Sequence, residues 1–142
     1  MWLYKGKPIT EITNLTYVGF TYKITQISTG KMYYGMKHLH STRTKKLGKK
    51  AIAALPDKRM SKKIKTTCES NWREYNSSCK PLQELIKNNP NDFKKEILEF
   101  YRTSKELSYA ELKLLIENDV LKSDMYFNDF INVGKYFRKD FK

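Results

Sequence analysis

The sequence predicts an α+β fold, in which a small three-stranded antiparallel sheet is flanked by helices. Apolar and polar residues alternate from Val18 to Thr25, and a second strand-like run follows the turn signal Ser28-Thr29-Gly30, a pattern typical of a β-hairpin. Farther along, the patterns indicate a helix, an apolar strand and a longer helix, which is the order of an α+β domain. At 142 residues the chain is long enough to bury a core of its own as one domain.

The first half of that domain contains the hairpin and a basic insertion. Residues 1–16 are predicted to be an N-terminal arm. The hairpin loop is predicted at Ser28–Lys31, with Lys31–Met36 in the return strand. A helix is expected near residues 38–47. The stretch 44–70 contains Gly48 and Pro56 and shows little apolar periodicity, so it is interpreted as an insertion.

The second half carries the remaining helices and the last strand. Pro81 suits the first turn of a helix that ends at Asn88-Asn89-Pro90. Phe93–Tyr101 is strand-like, and a helix is predicted over Ser104–Leu121. The aromatic-rich segment Tyr126–Phe141 is expected to pack back on the sheet.

The charge of the chain is concentrated in one segment. The formal net charge is +13, and residues 37–65 hold eleven Lys and Arg against one acidic residue, whereas basic and acidic residues cancel from residue 66 onward. A basic segment on a neutral body is typical of a surface that binds a polyanion, although a solvated loop without a partner remains an alternative. The candidate nucleic-acid-binding residues are Lys45, Lys46, Lys49, Lys50, Arg59, Lys62, Lys63 and Lys65.

Several other protein classes are disfavoured. No run of apolar residues approaches the length of a membrane span, and the start of the chain has no signal-peptide pattern. Two cysteines, Cys68 and Cys79, provide no disulfide framework. The expected location is therefore the cytoplasm, which would be the host cytoplasm if a phage encodes the chain.

The parity of the hairpin loop decides which side chains share a face. In an antiparallel hairpin whose loop has an even number of residues, the residue numbers of each cross-strand pair add up to an odd number. The numbers of Tyr22 and Tyr33 also add up to an odd number, so such a loop places both phenols on the same face of the sheet, and a loop with an odd number of residues separates them. The predicted four-residue loop favours the paired phenols. Two tyrosines on neighbouring strands are more often packing residues than a site, so this pairing alone does not predict a function.

An ordered set of motifs resembles the GIY-YIG nuclease superfamily. Phe20-Thr21-Tyr22, with Gly19 just before it, resembles the first strand motif, and Tyr33-Tyr34-Gly35 resembles the second. Arg43 lies eight residues beyond Gly35, where the family has an arginine, and Glu111 resembles the family glutamate. The resemblance runs from about residue 17 to residue 120, and its downstream part is similar to that of phage homing-type nucleases.

The resemblance implies a Mg²⁺-dependent endonuclease that hydrolyses DNA, double-stranded by expectation, in a homing or DNA-degrading role. Mn²⁺ is a possible substitute for Mg²⁺. Tyr22 would be the base for the attacking water, and Tyr33 would orient water or phosphate. A phenol has a reference pKa of about 10, so a cation is needed to favour its ionisation, and Lys37 and Arg43 are the candidates. Arg43 also suits phosphate binding. His40 is an accessory proton donor or a surface residue.

The resemblance also implies that Glu111 is the ligand of a single Mg²⁺. A lone glutamate is sufficient, because this ion often binds through one carboxylate, several waters and substrate phosphate. The alternative is that Ser108 and Glu111 form a capping box at the start of a helix. Two other functions remain open. The first is a non-catalytic nucleic-acid-binding module on the same scaffold, and the second is a basic factor that binds RNA or protein. Homo-oligomerisation is possible, because one active site cuts one strand at a time.

Overall fold

The fold is described from a computed structural model that covers residues 1–46, 48–54 and 63–141, with the side chains of 43–46 and 63–65 outside the description. The chain divides into two compact units, which are residues 1–39 with 71–142 and residues 40–70. The strands are β1 (Trp2–Tyr4), β2 (Lys7–Ile9), β3 (Gly19–Gln26), β4 (Met32–His38), β5 (His40–Lys46), β6 (Lys63–Glu69) and β7 (Phe93–Tyr101), and the α-helices are α1 (Lys49–Ala53), α2 (Lys80–Asn88) and α3 (Ser104–Glu117).

The first unit is built on a five-stranded sheet in the order β2-β1-β7-β3-β4. The α+β class is confirmed, but the predicted count of three strands is wrong, because the N-terminal arm supplies β1 and β2. β1 pairs with β7 in parallel, and the other pairs of this sheet are antiparallel. Trp2 explains why the arm joins the sheet. Its side chain is buried, and its Nε1–H donates to the carbonyl of Trp72 at 2.7 Å.

The main core lies on the sheet face that carries Phe20, Tyr22 and Ile24. These three side chains are buried together with Trp72 and with Leu82 of α2, so α2 and the segment before it cover this face. Alternate residues of a strand point to opposite faces, which is why Phe20, Tyr22 and Ile24 of β3 share this face.

Helix α3 packs against the opposite face, where Gly19 permits a close approach. A Cβ atom at Gly19 would lie 2.6 Å from Cδ2 of Leu107 and 2.5 Å from the carbonyl oxygen of Lys37. Leu107 is fully buried. The glycine that precedes the first motif is therefore required by the packing of α3 on the β3–β4 hairpin.

The second unit is an antiparallel ladder of β5 and β6 with the short helix α1. The ladder pairs His40 with Glu69 at one end and Lys46 with Lys63 at the other. The helix expected near residues 38–47 is wrong, since this stretch forms the end of β4 and then β5. Thr42 and Thr44 are β-branched residues that favour a strand. The unit begins four residues before the predicted insertion and ends at the same residue, Ser70.

In the described part of the chain, no helix is long and apolar enough to cross a membrane.

Candidate active site

The β3–β4 hairpin places both phenols on the same face of the sheet. Tyr22 lies opposite Gly35, and Ile24 lies opposite Tyr33. The rings of Tyr22 and Tyr33 stack with centroids 6.2 Å apart and an interplanar angle of 27°. The predicted pairing of the phenols is therefore confirmed.

The loop that sets this register is one residue earlier than predicted. The N–H of Gln26 donates to the carbonyl of Lys31 at 2.8 Å, which leaves Ile27–Gly30 as the loop. The loop still has four residues, so its even parity and the pairing of the phenols are unchanged. Asp92 holds it in place, because its carboxylate accepts the N–H of Ser28 at 2.9 Å and the Ser28 hydroxyl at 2.6 Å.

Gly35 leaves room for the phenol of Tyr22. A Cβ atom at position 35 would lie 2.5 Å from the Tyr22 hydroxyl oxygen and 2.6 Å from its Cζ atom. Tyr22 is buried, and its ring packs against Trp2, Phe20 and Tyr75, which restrict its movement. The Tyr33-Tyr34-Gly35 motif therefore needs a glycine at position 35, because the Tyr22 side chain passes across β4 there.

Glu111 faces the same strand from the middle of α3. The helix is capped by Thr103, whose hydroxyl accepts the N–H of Glu106 at 3.1 Å, and it begins at Ser104. The capping box of Ser108 with Glu111 is therefore wrong, and the Ser108 hydroxyl instead donates to the carbonyl of Ser104 at 3.0 Å. The half-buried Glu111 carboxylate accepts a hydrogen bond from the backbone N–H of Met36.

Asn128 is a residue of this region that the sequence did not reveal. Its side-chain Oδ1 accepts the N–H of Tyr34 at 3.1 Å, and its Nδ2 donates to the carbonyl of Tyr34 at 2.9 Å. Met32 exchanges backbone hydrogen bonds of 2.8 Å with Met125 and Phe127 in the same segment. The outer edge of β4 is thus covered by the C-terminal segment. The packing predicted for Tyr126–Phe141 is confirmed at this edge, where Tyr126 stacks on Tyr34.

These elements enclose a cavity of about 270 Å³. Tyr22 and Tyr33 form its floor with Gly35, and Glu111 contributes from α3. The remaining wall combines Ser78, which precedes α2, and Lys80, its first residue, with the C-terminal segment that contains Asn128, Asp129 and Asn132. The Tyr33 hydroxyl lies 3.2 Å from Oγ of Ser78. Two phenols and a glutamate predicted from separate motifs therefore line one cavity.

Burial governs the acidity of the three predicted groups. It raises the pKa of Tyr22 well above 10, and nearby Tyr75, Tyr33 and Glu111 raise that pKa further. Burial also raises the pKa of Tyr33 and the pKa of the Glu111 carboxyl. For Tyr22 this direction is opposite to the lowering that a cation at Lys37 or Arg43 was expected to give.

The donors around Glu111 fit a hard divalent cation that keeps most of its waters. Carboxylate and amide side chains line the cavity, and carboxylate and carbonyl oxygens are ligand types that Mg²⁺ prefers. Among the side chains that the structure describes, no cluster of three His, Cys, Asp or Glu residues forms a ready-made metal site. A single Mg²⁺ at Glu111 therefore requires water and substrate oxygens as its other ligands.

Comparison with known protein families identifies the domain that carries these residues. Residues 2–131 match the family model described as "Putative endonuclease segE, GIY-YIG domain". The chain belongs to the GIY-YIG endonuclease family. No curated protein and no solved structure gives a significant match to the chain.

The other residues predicted for the GIY-YIG site lie elsewhere or outside the described side chains. Lys37 shares the face of Phe20, and its ammonium lies 4.2 Å from the centre of the Tyr75 ring instead of lining the cavity. Burial lowers its pKa. Arg43 is on β5, where its backbone pairs with Thr66, and its side chain lies outside the description. His40 is exposed at the start of β5.

The predicted nucleic-acid-binding residues belong to the second unit of the GIY-YIG chain. Lys49 and Lys50 are exposed on α1. Four others lie on the ladder, where the structure describes their backbones but not their side chains: Lys45, Lys46, Lys63 and Lys65. Outside the described residues lie Arg59 and Lys62. A polyanion-binding role for this unit stays a prediction.

Proposed function

We propose that the chain is a metal-dependent endonuclease that hydrolyses phosphodiester bonds of DNA. The observation that carries this proposal is the meeting of Tyr22, Tyr33 and Glu111 in one cavity of a GIY-YIG domain. A scaffold retained only for binding does not require a half-buried carboxylate in a cavity that paired phenols also line. Burying a carboxylate is costly unless a partner compensates it, and no ion pair joins Glu111 to a described lysine or arginine.

Glu111 is the residue that holds the Mg²⁺ ion in this proposal, and Mn²⁺ would bind in the same way. When bound, the ion supplies positive charge to the substrate phosphate. The hydrogen bond from the Met36 N–H fixes the carboxylate, so its orientation depends on the edge of β4. The ionised form of Glu111 is needed for binding, and burial raises its pKa, so the affinity for the metal falls as pH falls through that raised pKa.

The two phenols have different tasks. Tyr33 is half-buried at the cavity wall, and its hydroxyl reaches Ser78, so it is suited to orienting water or a phosphate oxygen as a neutral group. Tyr22 accepts the proton of the attacking water when it is ionised. The cost of ionising an ordinary phenol at neutral pH is about 4 kcal/mol, and burial makes it larger. The cleavage rate should therefore rise steadily with pH across the alkaline range.

DNA is proposed as the substrate because the 40–70 unit contains ten Lys and Arg but only two acidic residues, and such an excess of positive charge favours binding to a polyanion. Within this proposal the chain is a phage homing-type or DNA-degrading nuclease that acts in the host cytoplasm. Cutting of both strands would require two copies of the chain or two successive events at one site.

The test is incubation with supercoiled plasmid and Mg²⁺, with nicked and linear products followed over time. We expect cleavage that chelation abolishes, that Mn²⁺ restores and that becomes faster from about pH 7 to about pH 9. Tyr22→Phe should lose cleavage and its pH dependence while it still binds DNA. A wild-type protein that binds plasmid but never cuts duplex or branched DNA with either metal is a binding module, and that result contradicts the proposal.

A further inference from the structure

The charges that line the catalytic cavity are unbalanced for a phosphodiester. Glu111 and Asp129 are acidic residues at this cavity, and Lys80 is the one lining lysine or arginine among the described side chains. Lys37 has its ammonium over the Tyr75 ring, and the Arg43 side chain lies outside the description. A phosphate anion that enters beside these carboxylates is stabilised by a protein cation within contact distance, in addition to the metal ion that Glu111 would hold.

Lys80 is held in position by the start of α2. It is the first residue of the helix, and Pro81 fixes the backbone of the first turn. Leu82, two residues on, is fully buried and anchors the helix to the core. The side chain of Gln83 donates to the carbonyl of Ser77 at 2.6 Å, which ties the segment before the helix to its first turn. The Lys80 backbone is therefore rigidly placed beside the cavity.

The Lys80 side chain is exposed and forms no ion pair with a described carboxylate. Two residues earlier, Ser78 contacts the hydroxyl of Tyr33. A phosphate oxygen bound next to Tyr33 would therefore lie in the cavity that Lys80 also lines. Lysine is a flexible point charge with three donors, which suits a phosphate whose exact position changes during the reaction.

We propose that Lys80 is a further catalytic residue, which contacts the scissile phosphate and compensates the charge that develops on its oxygens. This inference rests on the proposed nuclease function. It gives α2 a cationic contact in addition to the one that the motif order places at Arg43. Because that charge is greatest in the transition state, the contact acts on kcat more than on KM.

The test compares Lys80→Ala, Lys80→Arg and the control Lys87→Ala, an exposed lysine on the same helix that does not line this cavity. Lys80→Ala should lower kcat by roughly 100-fold or more with a smaller rise in KM, and Lys80→Arg should recover part of the loss. Lys87→Ala should cut like the wild type. Equal rates for Lys80→Ala and the wild type, with matching thermal midpoints, would overturn the proposal.

A binding measurement keeps this result separate from the fate of the proposed function. In a Glu111→Gln background, the affinity for a short DNA duplex is measured at several salt concentrations. Loss of the Lys80 contact should reduce the slope of log affinity against log salt by about 1. If the wild type never cuts DNA, the nuclease proposal fails. If Lys80→Ala leaves the salt slope unchanged as well, the phosphate contact at Lys80 fails independently.

Discussion

The two units of the chain differ in what their residues are used for. All of the described hydrophobic side chains that are fully buried lie in the unit of residues 1–39 and 71–142, and none of the described side chains of residues 40–70 is buried. The formal charge has the opposite distribution, since the 40–70 unit carries +8 of the total of +13 in 31 residues. Core formation and the cavity are therefore assigned to one unit, and most of the excess charge to the other.

This difference predicts that substitutions in the two units have separable effects. Changes in the first unit should alter cleavage or stability, whereas changes in the second should alter the affinity for a polyanion and its dependence on salt. Four variants test this division, beginning with the one from which we expect the largest effect.

Glu111→Gln should abolish cleavage while the fold is kept. The amide is nearly isosteric, but it removes the charge that binds the metal, so we expect a loss of roughly 1,000-fold or more in rate. The thermal midpoint should be unchanged or slightly raised, because a neutral group is cheaper to bury. Glu117→Gln, at an exposed position of the same helix, is the control and should cut normally. Equal activity of both variants would mean that the cavity is not the catalytic centre.

Gly35→Ala should damage stability and cleavage together. The added methyl group would overlap the Tyr22 phenol, and overpacking of this kind costs about 1–3 kcal/mol. The free energy of unfolding, measured in denaturant, and the plasmid assay should both respond. Gly134→Ala is the matched control, since its nearest atom would be 3.8 Å away. A variant as stable and as active as the control would show that Tyr22 is freer to move than its burial indicates.

Lys49→Gln with Lys50→Gln should weaken DNA binding without changing stability. Both side chains are exposed on α1, and each phosphate contact that is lost should reduce the salt slope by about 0.9. The cleavage rate at saturating DNA should stay the same. Lys122→Gln, which removes an exposed charge from the first unit, is the control. If Lys122→Gln changes the slope as much as the α1 pair does, binding is not concentrated in the second unit.

Lys95→Met should remove a modest pH dependence of stability in the first unit. The Lys95 ammonium donates to the Tyr75 carbonyl at 2.7 Å, and burial lowers its pKa to about 8. The unfolded chain keeps this proton to about pH 10, so native stability should rise between about pH 8 and pH 10.

Thermal melts of Lys95→Met and the wild type at about pH 7.5 and pH 9.5 measure that dependence. The wild type should gain on the order of 1 kcal/mol relative to Lys95→Met, after allowance for partial contact of the ammonium with water. The same pH response in both proteins would show that Lys95 is not the group that titrates.

Periodicity predicted the elements that bury alternate side chains. β7 has the predicted bounds, Phe93–Tyr101, and α3 begins at the predicted Ser104. The phenol pairing was also predictable, because it depends on the parity of the loop and not on its position. α3 ends at Glu117, before the predicted Leu121, where a 3-10 turn at Val120–Lys122 follows.

The elements that were missed lack such a pattern. β1 and β2 have three residues each, which is too few for an alternation to be recognised. β5 and β6 consist largely of Lys and Thr and have no apolar face, so only the β-branched threonines could have indicated strands. Asn128 acts through both backbone groups of Tyr34, 94 residues earlier, and no local motif predicts such a contact.

The covered edge of β4 also has a consequence for how the chain is made. A nascent chain released as far as Ser123 already contains the hairpin and Glu111, but it lacks Met125, Phe127 and Asn128, which occupy the edge. An open edge strand is a template for pairing with another chain, so such a fragment would be prone to association. The wall of the cavity is equally incomplete at that stage. The cavity is therefore completed only after the segment from Met125 to Asn132 has been synthesised, which is also the segment that closes the aggregation-prone edge.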